Sequence, residues 1–283
     1  MMTITAPAKI NLYLAVEGKR SDGYHELHTI LHRISLHDVI EIEPADRFSL
    51  ETKGIKSPET EENLVLKAAR LYSRTFGTPA AKISLYKNIP VGAGLGGGSS
   101  DAAATLKALR RIYRKGSDAE LIAIGETLGA DVPFFFKGQT AYATGIGTQV
   151  TTLPSVDLGW IVLVKPPESL LTADVYGELK AADYKDGLDS ESILRAFYEN
   201  DISTIGDSLY NSLEAPAFRI LPKLKALKNK LVNLGGKTLL SGSGSTIYSL
   251  FDDEGKAKDA LVKMKPYSTW SGLFRSGVMN EEN

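Results

Sequence analysis

The stretch Pro90-Val91-Gly92-Ala93-Gly94-Leu95-Gly96-Gly97-Gly98-Ser99-Ser100-Asp101 decides how the rest of this chain is interpreted. Five of the seven positions from Gly92 to Gly98 are glycine, and an alanine-rich helix is predicted to begin at about Ser100. Glycine is unfavourable for chain entropy, and a plain turn needs only one or two, so this density indicates close approach of the backbone to another group. Main-chain N–H groups ahead of a helix N-terminus are typical of a site for phosphate oxygens.

A flexible linker is the alternative interpretation of the same glycines. A linker would be followed by more polar coil, whereas here Ser99 or Ser100 is placed to cap a long helix. The sequence therefore favours a phosphate-binding loop.

Three better-known phosphate loops do not fit this stretch. Gly92, Gly94 and Gly97 match the dinucleotide pattern G-x-G-x-x-G, but the helix after them leads into more helix and not into a second parallel strand carrying an acidic residue. Gly92 and Gly97 also have the outer spacing of a Walker loop, but its lysine position holds Gly98. The His-Arg-Asp and Asp-Phe-Gly triplets of protein kinases do not occur in the sequence. The loop is therefore expected to bind a nucleotide in another way.

The composition is that of an ordinary soluble globular protein. The 283 residues, 43% hydrophobic and 24% charged, predict two domains of about 150 residues each or one large α/β domain. A net charge of -1 supplies no field for nucleic acid or an anionic membrane, and no apolar run approaches the ~18 residues of a membrane span. The absence of cysteine removes thiol chemistry and favours a reducing compartment, so a cytoplasmic protein is expected.

Strand and helix signals place a domain boundary near Pro154. The first forty residues alternate apolar and polar positions in pieces, as half-buried strands joined by turns do. Apolar residues at helical spacing predict a helix over 62–76. The first domain is therefore assigned to residues 1–153 and the second to 154–283.

The second half is predicted to be an antiparallel α+β layer. Helices over 190–198 and 216–234 are followed by a strand, the small-residue loop Ser241–Ser245, a second strand, a helix, and a last strand near Gly272–Val278. The order helix-strand-strand-helix-strand is typical of an antiparallel sheet packed with helices in an α+β layer.

Three segments together resemble the GHMP small-molecule kinase superfamily. The central motif is Pro90–Ala103, while Ala6–Leu12 and Leu240–Gly244 are similar to the first and third motifs. Gly18–Leu27 and Gly129–Phe135 further resemble one branch of that superfamily, whose acceptor carries a cytidine diphosphate group. The match spans both halves and is far more restrictive than a lone glycine pattern.

The resemblance implies a two-domain α+β GHMP kinase fold with the active site between the halves. The N-terminal, nucleotide-binding domain would be ribosomal protein S5 domain 2-like and the C-terminal domain ferredoxin-like. The implied reaction uses ATP and Mg²⁺ to phosphorylate the 2-hydroxyl of a small molecule, 4-diphosphocytidyl-2-C-methyl-D-erythritol, in the non-mevalonate isoprenoid pathway. The residues implied to bind ATP are Asn63, Pro90, Val91, Gly92, Ala93, Gly94, Leu95, Gly96, Gly97, Gly98, Ser99 and Ser100.

The resemblance also assigns two catalytic residues. Asp131 alone, placed before Val132-Pro133, would more often be a helix cap, and Lys9 on a strand would more often be a solvated lysine. The superfamily instead implies that Asp131 is the general base for the acceptor hydroxyl and that Lys9 is its electrostatic partner. Asn11, on the same strand face as Lys9, is implied to contact the substrate.

Aromatic and small residues are implied to hold the acceptor. Tyr24 and His25 would by themselves be turn residues, but the branch implies that they stack on a cytosine ring and hydrogen-bond its edge. Tyr176 resembles the opposite aromatic wall, with Thr172 near the base or ribose. Asn63, which by itself would cap a helix, resembles a residue that lines the adenine pocket. The third motif is implied to close the site near the substrate phosphate through Ser241, Gly242, Ser243 and Gly244.

The four histidines raise the question of a zinc site. His25, His28, His32 and His37 fall within thirteen residues. An alternating strand would not direct all four at one point, and no cysteine joins them, so no metal site built from protein ligands is predicted.

Two other functions remain open on the sequence. Another GHMP kinase, acting on homoserine, mevalonate or a sugar, would keep the loops but would not need Tyr24 and His25. A nucleotide-binding regulator without catalysis would not need Lys9 and Asp131, and both are present.

Overall fold

Two sheets, one of seven strands and one of four, organise the molecule. The computed structural model describes residues 1–60, 62–185 and 190–277. The strands are β1 (Met2–Lys19), β2 (His25–Ala45), β3 (Ser49–Gly54), β4 (Ala80–Lys87), β5 (Thr140–Gly145), β6 (Gln149–Leu153), β7 (Trp160–Lys165), β8 (Tyr210–Asn211), β9 (Lys237–Leu240), β10 (Ile247–Phe251) and β11 (Trp270–Arg275). The helices are α1 (Leu64–Phe76), α2 (Gly97–Tyr113), α3 (Asp118–Leu128), α4 (Thr172–Gly177), α5 (Ser190–Glu199), α6 (Ile202–Asp207), α7 (Glu214–Ile220), α8 (Lys223–Asn233) and α9 (Glu254–Met264).

The larger sheet is built on a long hairpin of β1 and β2. The segments of alternating apolar and polar residues in the first forty positions belong to these two antiparallel strands. Because β2 is 21 residues long, it pairs with β5 near its start and with β4 near its end. The pairing register of β1 with β2 shifts between Pro7 and Lys9 and again between Asn11 and Tyr13. Such bulges redirect side chains and recur beside active sites, and here they flank Lys9 and Asn11.

Helices cover one face of the larger sheet. The predicted helix over 62–76 is confirmed as α1, with Asn63 as its N-cap and Gly77 in a left-handed conformation as its C-cap. Helices α1, α2 and α3 bury their apolar residues in one core with Ile40, Ile42 and other residues of the sheet.

The smaller sheet has the ferredoxin-like arrangement implied for the second half. Its order is β11-β7-β10-β9, with every neighbouring pair antiparallel. Helices separate β7 from β9, and α9 separates β10 from β11, as in a β-α-β-β-α-β unit. One face of this sheet shares a core with β1 through Ile161, Leu163 and Tyr248. The α+β fold is therefore confirmed.

Three details of the second half differ from the sequence expectation. The helix predicted over 216–234 is two helices, because the chain turns at Leu221-Pro222 and proline cannot continue a helix interior. Strand β8 joins the larger sheet, parallel to β1. The last strand ends at Arg275, and Val278 lies outside the described residues. Within the described ranges, no helix has the length and apolar character needed to cross a bilayer.

Candidate active site

A cleft of about 1080 Å³ lies where the glycine loop meets residues from the second half. Most of the residues that the sequence singles out line it, although they come from positions scattered along the chain. These are Lys9, Asn11, Tyr24, His25, Asn63, residues 90–99, Asp131, Thr172, Tyr176, Gly242 and Ser243. Ser100, Ser241 and Gly244 lie behind this surface and do not line it.

Two glycines of the loop are required by contacts within the protein itself. Gly94 has φ +74°, and a Cβ there would lie 2.1 Å from the carbonyl oxygen of Ser241. Gly96 has φ +68°, and its Cβ would lie 2.8 Å from Cγ of Lys9 and 3.3 Å from Cζ of Phe135. The close approach inferred from the sequence is therefore partly an approach to other parts of this chain.

The start of α2 leaves main-chain donors directed away from the helix. Its first helical residue is Gly97, and the N–H of Ser100 donates to the carbonyl of Gly96 at 2.9 Å. In an α-helix the N–H groups ahead of that bond, here those of Gly97, Gly98 and Ser99, have no acceptor within the helix. With the positive end of the helix dipole, they form a site suited to an anion.

The expectation that Ser99 or Ser100 caps this helix is wrong. Gly96 precedes the helix in a left-handed conformation, and no side chain makes a capping hydrogen bond. The helix begins three residues before Ser100 because the loop reaches it through Gly96, where Lys9 leaves no room for a side chain. Ser100 is buried, and its Oγ has no hydrogen-bond partner among the described residues.

Lys9 and Asp131 meet at the centre of the cleft. Lys9 Nζ lies 3.3 Å from Asp131 Oδ2, and the side chains are 5% and 36% exposed. Lys9 is thus not the solvated lysine that a strand position would suggest. Asp131 does not cap the short 3₁₀ helix Pro133–Phe136, since Val132 occupies that position and no side chain caps it. A buried cation and a partly exposed carboxylate in contact can bind a hydroxyl group and take its proton.

A chain of hydrogen bonds fixes the Lys9 ammonium. Lys9 Nζ donates to Asn11 Oδ1 at 2.8 Å, and Asn11 Nδ2 donates to Thr29 Oγ1 at 2.9 Å. Thr29 Oγ1 in turn donates to the carbonyl of Tyr13 at 2.8 Å. Sequence reasoning missed Thr29, because only the pairing of β1 with β2 brings it beside Asn11.

Aromatic rings line the end of the cleft away from the glycine loop. The ring centroids of His25 and Tyr176 lie 5.1 Å apart, and the ring centroids of His25 and Tyr184 lie 6.3 Å apart. Tyr24 is 62% exposed. Burial, with the charge of Lys19 adding to it, lowers the pKa of His25, so the ring is neutral near pH 7. Sequence reasoning missed Tyr184, because it follows a stretch with no recognisable motif.

Burial also keeps Tyr176 protonated at this end of the cleft. Its pKa is raised, mainly by burial and further by the charge of Asp131. The phenol therefore remains a neutral hydrogen-bond donor. Nearby, the hydroxyls of Thr172 and Ser243 are 2.9 Å apart, which joins α4 to the small-residue loop.

The small-residue loop supports the glycine loop from behind. Ser241 Oγ donates to the carbonyl of Gly94 at 2.9 Å. Asn211 Nδ2 donates to the carbonyls of Leu240 and Gly242 at 2.9 and 2.8 Å. Asn211, in β8, was not singled out from the sequence, since nothing local marks it.

Asn63 is both a helix cap and a residue of the cleft wall. Its Oδ1 accepts the N–H of Val65 at 2.9 Å as the cap of α1, and the residue also lines the cleft. The described ranges contain no group of three or more histidine or acidic side chains able to hold a metal ion. His32, for example, is bonded to Thr140 and Ser276.

Comparisons with known proteins point to one family. The family model of the GHMP kinases N terminal domain matches residues 63–139, and that of the GHMP kinases C terminal domain matches residues 193–268. The 4-diphosphocytidyl-2-C-methyl-D-erythritol kinase of Syntrophus aciditrophicus (strain SB) is 40% identical over 275 residues, covering 96% of this chain and 97% of that protein.

Solved structures agree with this assignment. A crystal structure of a 4-(cytidine 5'-diphospho)-2C-methyl-D-erythritol kinase matches with a TM-score of 0.83 and 38% identity, covering 98% of this chain and 100% of that one. The homoserine kinase of Cytophaga hutchinsonii matches with a TM-score of 0.74 and 20% identity over 98% of this chain and 95% of its own. At that identity the second likeness is one of fold alone.

Proposed function

This chain belongs to the 4-diphosphocytidyl-2-C-methyl-D-erythritol kinase family of GHMP kinases, and from that premise we propose that it phosphorylates the 2-hydroxyl of 4-diphosphocytidyl-2-C-methyl-D-erythritol with ATP. The chain is a small-molecule kinase. The proposed reaction yields ADP and the phosphorylated alcohol, in the non-mevalonate route to isoprenoid precursors.

One observation carries the proposal: the contact of Lys9 Nζ with Asp131 Oδ2 at 3.3 Å, between the glycine loop and the aromatic end of the cleft. Asp131 takes the proton of the acceptor's 2-hydroxyl group as the oxygen of that hydroxyl attacks the γ-phosphorus of ATP. The bond from that phosphorus to the bridging oxygen breaks, and ADP leaves. Lys9, held by Asn11, offsets the negative charge that develops on the transferring group.

The glycine loop and α2 supply the phosphate site. Main-chain N–H groups of Gly97, Gly98 and Ser99 donate hydrogen bonds to the phosphate oxygens, while the remaining loop residues and Asn63 border the nucleotide. Bound Mg²⁺ would neutralise phosphate charge. This cation prefers oxygen ligands, and Ser99, a hydroxyl residue that lines the cleft at the start of α2, would supply an oxygen beside the phosphates.

The aromatic end supplies the acceptor site. Tyr24 and Tyr176 provide flat apolar faces for a cytosine ring, and neutral His25 offers one donor and one acceptor to its edge. Thr172 and the loop through Ser243 border the remaining part of the acceptor.

A substrate panel tests the proposal. ADP release is measured with ATP and the cytidine compound, and in parallel with homoserine, mevalonate and a sugar. We expect kcat/KM for the cytidine compound to exceed the others by about a hundredfold or more, since loss of matched polar and stacking contacts gives discrimination of that order. Preference for a small alcohol without cytidine would contradict the proposal. ATP binding without phosphoryl transfer to any compound would instead favour a regulator.

A further inference from the structure

Three buried charged side chains form a cluster beneath the glycine loop. Lys87 is the last residue of β4, Asp38 lies in β2, and Asp101 is the fifth residue of α2. None is more than 4% exposed, although Lys87 and Asp101 border the inner wall of the cleft. Lys87 Nζ donates to Asp101 Oδ2 at 2.8 Å and to Asp38 Oδ2. We call these three residues the charge cluster.

Asp38 connects the charge cluster to the entrance of the loop. Its Oδ1 accepts the backbone N–H groups of Asn88 and Ile89, at 2.6 and 2.9 Å. These are the two residues directly before Pro90. One carboxylate therefore holds both the Lys87 ammonium and the backbone that enters the glycine loop.

Asp101 and Gly97 connect the charge cluster to the exit of the loop. A Cβ on Gly97 would lie 3.2 Å from Lys87 Nζ and 2.9 Å from Ile89 Cγ2. The absence of a side chain at Gly97 thus lets the ammonium lie against the first residue of α2. Lys87 contacts Asp101 on the same helix, so both ends of the loop are tied to one ammonium group.

Stability alone does not account for such a cluster. Burying charges carries a large desolvation penalty, and apolar residues of similar volume often serve folding as well or better. Burial raises the pKa of Asp101, Lys87 opposes this effect, and Asp38 adds to it. What the charge cluster does provide is a fixed geometry between the entrance of the loop and the start of α2.

We infer that Lys87 is a positioning residue for ATP: through Asp38 and Asp101 it holds the two ends of the glycine loop at a fixed separation, so that the donors of Gly97–Ser99 point into the cleft. The inference rests on the proposed function of that loop. Lys87 acts through the backbone that it fixes and is not itself a catalytic residue.

Two substitutions at one position separate positioning from folding. Asp101→Ala removes the partner of Lys87 on α2, while Asp101→Asn keeps an oxygen that accepts from Nζ. We expect the ATP Kd, measured by calorimetry without acceptor, to rise about tenfold or more in Asp101→Ala and to stay within about twofold in Asp101→Asn, as for loss or retention of a charged hydrogen bond. The KM of the acceptor should not change in either variant.

Leu109→Ala is the matched control on the same helix. Leu109 is fully buried in the core that α2 shares with α1 and the larger sheet, two turns beyond Asp101, so its truncation weakens α2 without touching Lys87. We expect a lower melting temperature with an unchanged ATP Kd. An ATP Kd that rises as much in Leu109→Ala as in Asp101→Ala would overturn the inference.

A triple variant covers the case in which Asp101→Ala does not fold. Lys87→Met with Asp101→Leu and Asp38→Asn removes all three buried charges, and the amide introduced by Asp38→Asn keeps an oxygen for the N–H groups of Asn88 and Ile89, so the protein should fold. The ammonium that joins the two ends of the loop is then absent, so the ATP Kd should again rise about tenfold or more. An ATP Kd like that of the unmodified protein in this variant, or in folded Asp101→Ala, would overturn the inference. Failure of the unmodified protein to bind ATP would contradict the proposed function instead.

Discussion

The two ends of the cleft are built in different ways. At the proposed nucleotide end the groups that line the cleft are mainly backbone, fixed by close packing of Gly94 against Ser241 and of Gly96 against Lys9. At the acceptor end the contacting groups are side chains, and Tyr24 is 62% exposed. If the proposed function is right, phosphate binding should depend on the integrity of the fold, whereas acceptor selection should depend on side chains that can be changed without disturbing the fold.

The largest expected effect comes from the group between the two ends. Asp131→Asn should lower kcat by about a hundredfold or more, because the acceptor hydroxyl loses its base. The ATP Kd should not change, since Asp131 lies outside the glycine loop. Both are measurable by ADP release and calorimetry, with the exposed Asp46→Asn as a control expected to leave kcat unchanged. Near-normal turnover in Asp131→Asn would reject its assignment as the base.

A smaller effect, on stability, should appear at the nucleotide end. Gly94→Ala places a Cβ 2.1 Å from the Ser241 carbonyl oxygen at φ +74°, so the free energy of unfolding should fall by roughly 2 kcal/mol. Urea denaturation measures it. The control is Gly18→Ala, where a Cβ would meet nothing within 4 Å. Equal stability of the two variants would mean that this loop is not fixed by packing.

The smallest effect is expected at the acceptor end. Tyr24→Ala should raise the acceptor KM about tenfold through loss of one stacked ring, with kcat, ATP KM and stability unchanged. Steady-state kinetics with each substrate varied in turn measures this. Tyr198→Ala, which removes a similarly exposed ring that does not line the cleft, serves as the control. An unchanged acceptor KM in Tyr24→Ala would count against base stacking.

Features that depend on local sequence could be predicted, whereas features that depend on contacts between distant residues could not. The glycine loop and α1 are encoded locally, by glycine density and by the Asn63 and Gly77 caps, so their positions follow from short-range rules. The start of α2 was misplaced because those rules favour a serine cap. The actual start depends on Lys9, a residue more than eighty positions earlier that excludes a side chain at Gly96.

The contact between Lys9 and Asp131 could not come from spacing at all. More than a hundred residues separate them, and only the resemblance to a family placed them together. Thr29, Tyr184 and Asn211 carry no local signal, since each acquires its contact when distant strands or segments pair. The charge cluster was missed for the same reason: Asp38, Lys87 and Asp101 come from three elements that meet only in the folded chain.

The position of β8 has a consequence for synthesis. The edge of β1 near Leu14 is occupied by late residues: Tyr13 pairs with Tyr210, and the Ser212 N–H donates to the Leu14 carbonyl. Strand β1, the first to leave the ribosome, therefore lacks its pairing partner β8 until some two hundred further residues have been translated. Until then an apolar strand edge stays open to other chains, so a nascent polypeptide halted near residue 153 should aggregate or recruit a chaperone.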